Sequence, residues 1–182
     1  MEERKGAKKG RMIIELLIYA IALFFAAVII PRYILQRTII IGDSMENTLN
    51  DGDNVWVEKI SYHFDQLKRY DIIVFYPYGK ESGDYFVKRI IGLPGETVQI
   101  IDDTIYINGI PLSESFGKER MEYAGIAAEP IFLSDDEYFV LGDHRAVSLD
   151  SRYSKVGVVS KEKIAGRVFF RIWPLSKFGT ID

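Results

Sequence analysis

The chain has 182 residues, of which 23 are Lys or Arg, 26 are Asp or Glu, two are His and none is Cys, with 48% in the apolar set. This is one domain's worth of chain with enough apolar material for a core, which argues against wholesale disorder and against a multidomain machine. The absent cysteine excludes disulfides, thiolate nucleophiles (a cysteine transpeptidase among them), CxxC redox pairs and cysteine-based zinc sites, and the net charge of −3 speaks against general polyanion binding.

Residues 1–11 carry Arg4, Lys5, Lys8, Lys9 and Arg11 against Glu2 and Glu3, and Met12 to Ile30 follows with Glu15 as its only charge. Nineteen residues rising 1.5 Å each span about 28 Å, close to the hydrocarbon thickness of a bilayer. Glu15 lies within a turn of the basic end, where it can reach headgroups or pair with Arg11. Alone, the basic run would read as a solvated tail; beside an apolar span it is an orientation signal that keeps the amino terminus in the cytoplasm. Ala20-Ile21-Ala22 offers a small-x-small triplet, but it sits inside the apolar run with no polar region before a cleavage point, so the segment reads as an uncleaved signal anchor. Pro31 and Arg32 are expected to end the span. The chain thus divides into a cytoplasmic basic tail (1–11), a transmembrane anchor (12–30) and an extracytoplasmic domain (32–182).

From Arg32 onward the pattern is strand-like. Short apolar or alternating runs recur at Thr38–Ile41, Asn54–Glu58, Asp71–Tyr76, Tyr85–Ile91, Thr97–Ile101, Thr104–Ile107, Glu137–Leu141 and Lys163–Ile172. Asp102-Asp103 and Asn108-Gly109 bracket one of these runs, and Asn-Gly is a strong hairpin signal because both central residues tolerate positive φ. The predicted fold class is mostly β, one domain behind a single helix, with residues 113–130 as a less regular surface excursion.

Three segments set reactive groups beside turn glycines at strand ends. In Gly42-Asp43-Ser44-Met45-Glu46-Asn47-Thr48-Leu49, a glycine-containing turn after an apolar strand presents a hydroxyl and leaves a backbone N–H to face a developing oxyanion. In the segment from Tyr85 to Glu96, Lys88 interrupts an apolar strand. Strand neighbours point to opposite faces, so either Lys88 and Arg89 reach out to water, or Lys88 faces inward, desolvated, with a lowered pKa that suits a general base. In the segment from Leu141 to Arg152, Asp143, Arg145, Ser148, Asp150, Ser151 and Arg152 make either a plain polar loop or an ordered network in which Arg–carboxylate pairs hold a serine against a catalytic amine. His144 as base of a Ser-His-Asp arrangement is weighed and discounted, since its charged neighbours explain a structural role. With His63 it makes only two histidines, too few for a histidine-rich metal site, and no metal or organic cofactor is implied.

Ser44-Met45 with Thr48-Leu49, then Asp71 to Phe75, then Lys88 to Glu96, then Gly142-Asp143-His144-Arg145 with Ser148, Asp150, Ser151 and Arg152 resemble the ordered boxes of bacterial type I signal peptidases. The resemblance covers the anchor and most of the remainder. It implies a serine endopeptidase that removes signal peptides from exported preproteins at the outer face of the cytoplasmic membrane, with a Ser44 acyl-enzyme and Lys88 as general base. It further implies Ser148 as the hydroxyl that orients the lysine, and Asp143, Arg145, Asp150 and Arg152 as its support. Its partners are signal-peptide-bearing preproteins and the lipid bilayer, with the secretion translocon nearby and no nucleic acid. Ile40, Gly42, Met45, Leu49, Phe86 and Val87 lie at or beside the matching motifs as candidate substrate-pocket residues, and Trp56, Trp173, Tyr33 and Phe178 as candidates for an apolar rim on the lipid surface.

The sequence departs from the family pattern at four places: Asn47 stands for a proline, Gly42 for a residue that in some members donates an oxyanion hydroxyl, His144 for the usual asparagine and Ala146 for a frequent acidic residue. The first two motivate an alternative reading as a membrane-anchored β-domain that binds peptides or scaffolds a secretion complex without catalysis. A Ser/Lys autoprotease related to self-cleaving repressors is a third; the anchor and the lack of a basic, DNA-reading module count against it.

Overall fold

The computed structural model of the chain describes residues 2–60 and 67–181; His63 lies outside them. The apolar run is helical, but the helix is longer than the sequence pattern suggests. Helix α1 covers Glu2–Phe24, so the basic segment continues the same helix, and wide turns of π type carry it on from Phe25 to Ile34. Pro31 therefore does not end the helical path. Its missing N–H coincides with the widened turns, which shift the hydrogen-bonding register away from the regular ladder. Gly10–Val28 is long and apolar enough to cross a membrane, and none of it is buried against the rest of the chain. Arg11 and Glu15 pair at 3.0 Å one turn apart, which masks the lone charge of the apolar run.

The remainder is antiparallel β structure. Strands β1 (Leu35–Ile39), β2 (Asn54–Glu58), β3 (Ile72–Phe75), β4 (Phe86–Gly92), β9 (Glu137–Leu141), β10 (Val159–Ser160), β11 (Ile164–Trp173) and β12 (Gly179–Thr180) form one sheet in the order β1-β2-β11-β3-β4-β9-β10, with β12 on β11. Strands β5 (Thr97–Ile101), β6 (Thr104–Ile107), β7 (Ile110–Pro111) and β8 (Ile131–Phe132) form a second, ordered β7-β6-β5-β8. The turn residues at 102–103 and 108–109 all adopt positive φ, between 46° and 77°, as tight hairpins with the right-handed strand twist require.

The large sheet is covered on both sides. On β3, Ile73 and Phe75 enter a cluster with Ile90, Tyr138, Val140 and Ile164, while Ile72 and Val74 enter another with Ile40, Met45, Leu49, Val57 and Val168. The β3–β4 register pairs Ile73 with Lys88 and Ile72 with Arg89, so consecutive cations of β4 point into opposite buried faces. Both are enclosed, Lys88 at 4% and Arg89 at 0% exposure. A third cluster, built on the small sheet, takes in Met121 and Ala127. Residues 113–130 run irregularly over the surface, as expected, but are tied down at two points. Ala127 and Met121 anchor the segment in the core, and Lys118 bridges to His144 in parallel.

Candidate active site

Three stretches meet where the turn after β1, the middle of β4 and the loop after β9 converge. Gly42 opens the first turn at φ +87°, and its N–H donates to Asp51 Oδ1 (2.8 Å). The turn closes with Thr48 N and Leu49 N both donating to the Met45 carbonyl, at 3.1 and 2.8 Å, and Leu49 and Met45 sink into the core as its anchors. Ser44 stays half-exposed between them. Its carbonyl accepts the His144 N–H at 3.1 Å, which ties the loop after β9 to the turn.

Lys88 Nζ lies 2.7 Å from Ser44 Oγ, and it also donates to the Val87 carbonyl at 3.0 Å. Burial strips water from the amine and pushes its pKa down from 10.5 to about 8, against the opposing pull of the Asp150 and Asp143 carboxylates. An amine so placed is neutral in an appreciable fraction of molecules near neutral pH, and it is within reach of the serine proton. The Ser44 N–H donates to no acceptor among the described residues, so it is free to face an oxyanion.

The opposite face of β4 holds the scaffold. Arg89 grips Asp143 through two hydrogen bonds of 2.9 Å, its NH2 group also reaches Thr48 Oγ1 at 3.1 Å, and the Thr48 hydroxyl donates to Asp143. Arg152 grips Asp150 in the same manner at 2.8 and 2.9 Å and donates to the Arg145 carbonyl at 2.7 Å. Asp150 in turn accepts the Gly142 N–H at 3.1 Å, and Arg145 pairs with Glu114 at 2.8 Å. The polar loop is therefore an ordered network, each buried charge being matched by one of opposite sign.

Ser148 is buried but makes no bond to Lys88. Its Oγ has no partner among the described residues, because it is turned onto Gly142, where an added Cβ would lie 2.1 Å from it and 2.4 Å from the Ser44 carbonyl. The His144 ring faces two glutamates, Nδ1 lying 3.2 Å from Glu46 and Nε2 3.5 Å from Glu119, rather than the serine. Glu46 is held below the usual carboxylate range by its hydrogen bond to Lys118 and that lysine's charge.

A groove of about 640 Å³ runs past Ser44 and Lys88. Ile40, Gly42, Met45, Phe86 and Val87 line it as the sequence suggests; Leu49 does not, being wholly buried in the core that anchors the turn. Tyr85, Val147 and Leu149 also line it; they lie inside the motif segments, but as apolar or aromatic residues they carry no signal that separates them from core. Tyr85 crosses to donate its hydroxyl to the Ile39 carbonyl at 3.3 Å. Of the rim candidates, Tyr33, Trp173 and Phe178 are exposed and Trp56 is half-buried.

A buried amine within hydrogen-bond reach of a serine hydroxyl, in a groove of a β domain, is an arrangement able to support acyl transfer. The chain belongs to the signal peptidase family, peptidase S26, whose sequence profile matches residues 12–173. It is similar to a signal peptidase I of Bacillus licheniformis, with 33% identity over the full length of both chains, and to a probable signal peptidase I of Synechocystis, with 38% identity over 85% of this chain and 71% of that one. A crystal structure of a signal peptidase I from Enterococcus faecalis is 36% identical, covering 57% of this chain and 97% of that one with a TM-score of 0.45. The protein is thus a serine peptidase of the class that removes signal peptides, and its substrates are preproteins that carry them. This sets aside the non-catalytic alternative.

Proposed function

We propose that Ser44 is the nucleophile and Lys88 the general base. The observation that carries this reading is the 2.7 Å approach of a desolvated Lys88 amine to the Ser44 hydroxyl. Neutral Lys88 takes the Oγ proton as Oγ bonds to the scissile carbonyl carbon; the tetrahedral oxyanion faces the Ser44 N–H; the C–N bond then breaks as the ammonium returns the proton to the leaving amine. In the second half, Lys88 takes a proton from water as its oxygen bonds to the acyl carbon; the ester C–O bond then breaks and the ammonium returns the proton to Ser44 Oγ, releasing the acid. Asp143, Arg145, Asp150 and Arg152 hold the loops that carry these groups. Ser148 orients the amine only once its buried, unpartnered hydroxyl rotates from Gly142 towards Lys88.

The groove beside this pair suits an extended peptide with small side chains. Ile40, Met45, Phe86 and Val87 give it apolar walls. Residues 1–11 lie in the cytoplasm, 12–30 anchor the chain and 32–182 act at the outer membrane face, near the translocon, a reading supported by the basic residues that precede the apolar helix.

The test is cleavage of a synthetic signal peptide with an Ala-x-Ala site by detergent-solubilised full-length protein, with Ser44→Ala and Lys88→Ala in parallel. Cleavage after the second alanine, lost in both variants, is the expected result. Turnover by Ser44→Ala would overturn the assignment of the nucleophile.

A further inference from the structure

Asn47 sits where the family pattern has proline, at the turn that carries Ser44, and its backbone is at φ +99°. The turn is defined by Met45 and Thr48, whose carbonyl and N–H are joined at 3.1 Å, with Glu46 and Asn47 as its central residues. Of the two central residues only Asn47 has a positive φ, a region that glycine and asparagine enter most readily. Proline, fixed near φ −65°, has no access to that conformation.

The side chain adds a second constraint. Asn47 Nδ2 donates to the Phe116 carbonyl at 3.3 Å, and the neighbouring Glu46 pairs with Lys118 at 3.0 Å. Phe116 is itself fixed: its ring lies 3.7 Å under the Arg89 guanidinium and 4.9 Å from the Tyr70 ring. Lys118 N donates to the Asp143 carbonyl at 2.7 Å, and the next residue, His144, donates to the Ser44 carbonyl. The contacts close a ring that runs from Ser44 through Asn47, Phe116, Lys118 and His144 back to Ser44.

We propose that Asn47 is a positioning residue for the nucleophile: its left-handed backbone and its bond to Phe116 set the turn that aims Ser44 Oγ at Lys88, and the proline of the family pattern is incompatible with this arrangement. The inference rests on Ser44 as nucleophile. Asn47 is exposed, so replacing it removes no core packing, and its effect falls on the geometry of the turn.

The experiment compares wild type, Asn47→Gly, Asn47→Ala, Asn47→Pro and Ser44→Ala on the Ala-x-Ala peptide, with kcat normalised to folded protein and KM measured separately. Glycine reaches the required φ and is expected to keep kcat within about threefold; alanine should lie below it; and proline should lower kcat about 100-fold with little change in KM, the scale of a misplacement near 1 Å. A merely structural role would lower the thermal midpoint and leave kcat per folded molecule intact. A proline variant within about threefold of wild-type kcat overturns the proposal. Where the proline variant loses its cooperative thermal transition, the order of the other two decides, and alanine equal to or above glycine overturns it. Retained cleavage by Ser44→Ala would instead strike at the nucleophile, so the two failures are distinct.

Discussion

Lys88 Nζ and Ser44 Oγ stand 2.7 Å apart across 44 positions of sequence, one on a central strand and the other on a turn that follows an edge strand. Their meeting depends on burial of the first and tethering of the second. β4 lies between β3 and β9, and buried clusters cover both of its faces, so neither offers a lysine a route to open water. The Ser44 turn is pinned from below by Met45 and Leu49 and from the side by His144.

The pH dependence of cleavage follows from that burial. With the amine's pKa near 8, and the neutral form as the base, kcat/KM should rise with pH and level off above about 8. A pH profile on the Ala-x-Ala peptide checks this; an acidic limb near the unperturbed 10.5 would contradict a desolvated lysine. Lys88→Arg should be inactive, because a guanidinium stays protonated at every working pH.

The same lysine should cost the fold stability. Its folded pKa, about 8, lies below the value of 10.5 expected when unfolded, so between those values the unfolded state binds more protons and stability rises with pH. Below about pH 8 the penalty is complete, and at 1.36 kcal/mol per pKa unit it amounts to about 3 kcal/mol. Lys88→Met is therefore expected to be inactive yet more stable than wild type at pH 6 to 7, with the difference shrinking towards pH 10. Denaturant titrations of both proteins at several pH values measure it, and a pH-independent difference would refute it.

Much of this was legible in the sequence. The runs at Asn54–Glu58, Thr97–Ile101, Thr104–Ile107 and Glu137–Leu141 are strands with those same limits, because the first three alternate, the last is a short apolar run, and all are bounded by turn formers. The facing of Lys88 was not legible. Alternation separates it from Arg89 but does not say which is inside, and in a strand buried on both faces the answer is both. The very short strands β7, β8, β10 and β12 carry too few residues for any period to show. Residues 113–130 are irregular, as the sequence suggests, but the contacts that hold them, Glu114 with Arg145 and Lys118 with Glu46, are distant in sequence and left no local signature. Gly42 and Ser44 stood out through the motif, whereas the partners that fix them, Asp51 and His144, have no local signature.

The Arg89–Asp143 pair, wholly buried at 2.9 Å, makes a second structural prediction. Asp143→Ala strands a guanidinium in the core and should cost about 3–5 kcal/mol in chemical denaturation. The double change Arg89→Met with Asp143→Leu removes both charges and should cost less than Asp143→Ala alone. If instead the two changes add, the pair is not coupled as the geometry requires.

Gly142 gives the most local test. A Cβ there would fall 2.1 Å from Ser148 Oγ and 2.4 Å from the Ser44 carbonyl, and the second of these is backbone that cannot rotate away. Relief requires the Ser44 turn to move off the loop, which breaks the His144 N–H bond to the Ser44 carbonyl. Gly142→Ala should consequently lower kcat about 100-fold, as expected of a shift near 1 Å, and should destabilise the fold by about 1–3 kcal/mol. Wild-type kcat in Gly142→Ala would show that the Ser44 turn takes up the added Cβ without losing its aim at Lys88.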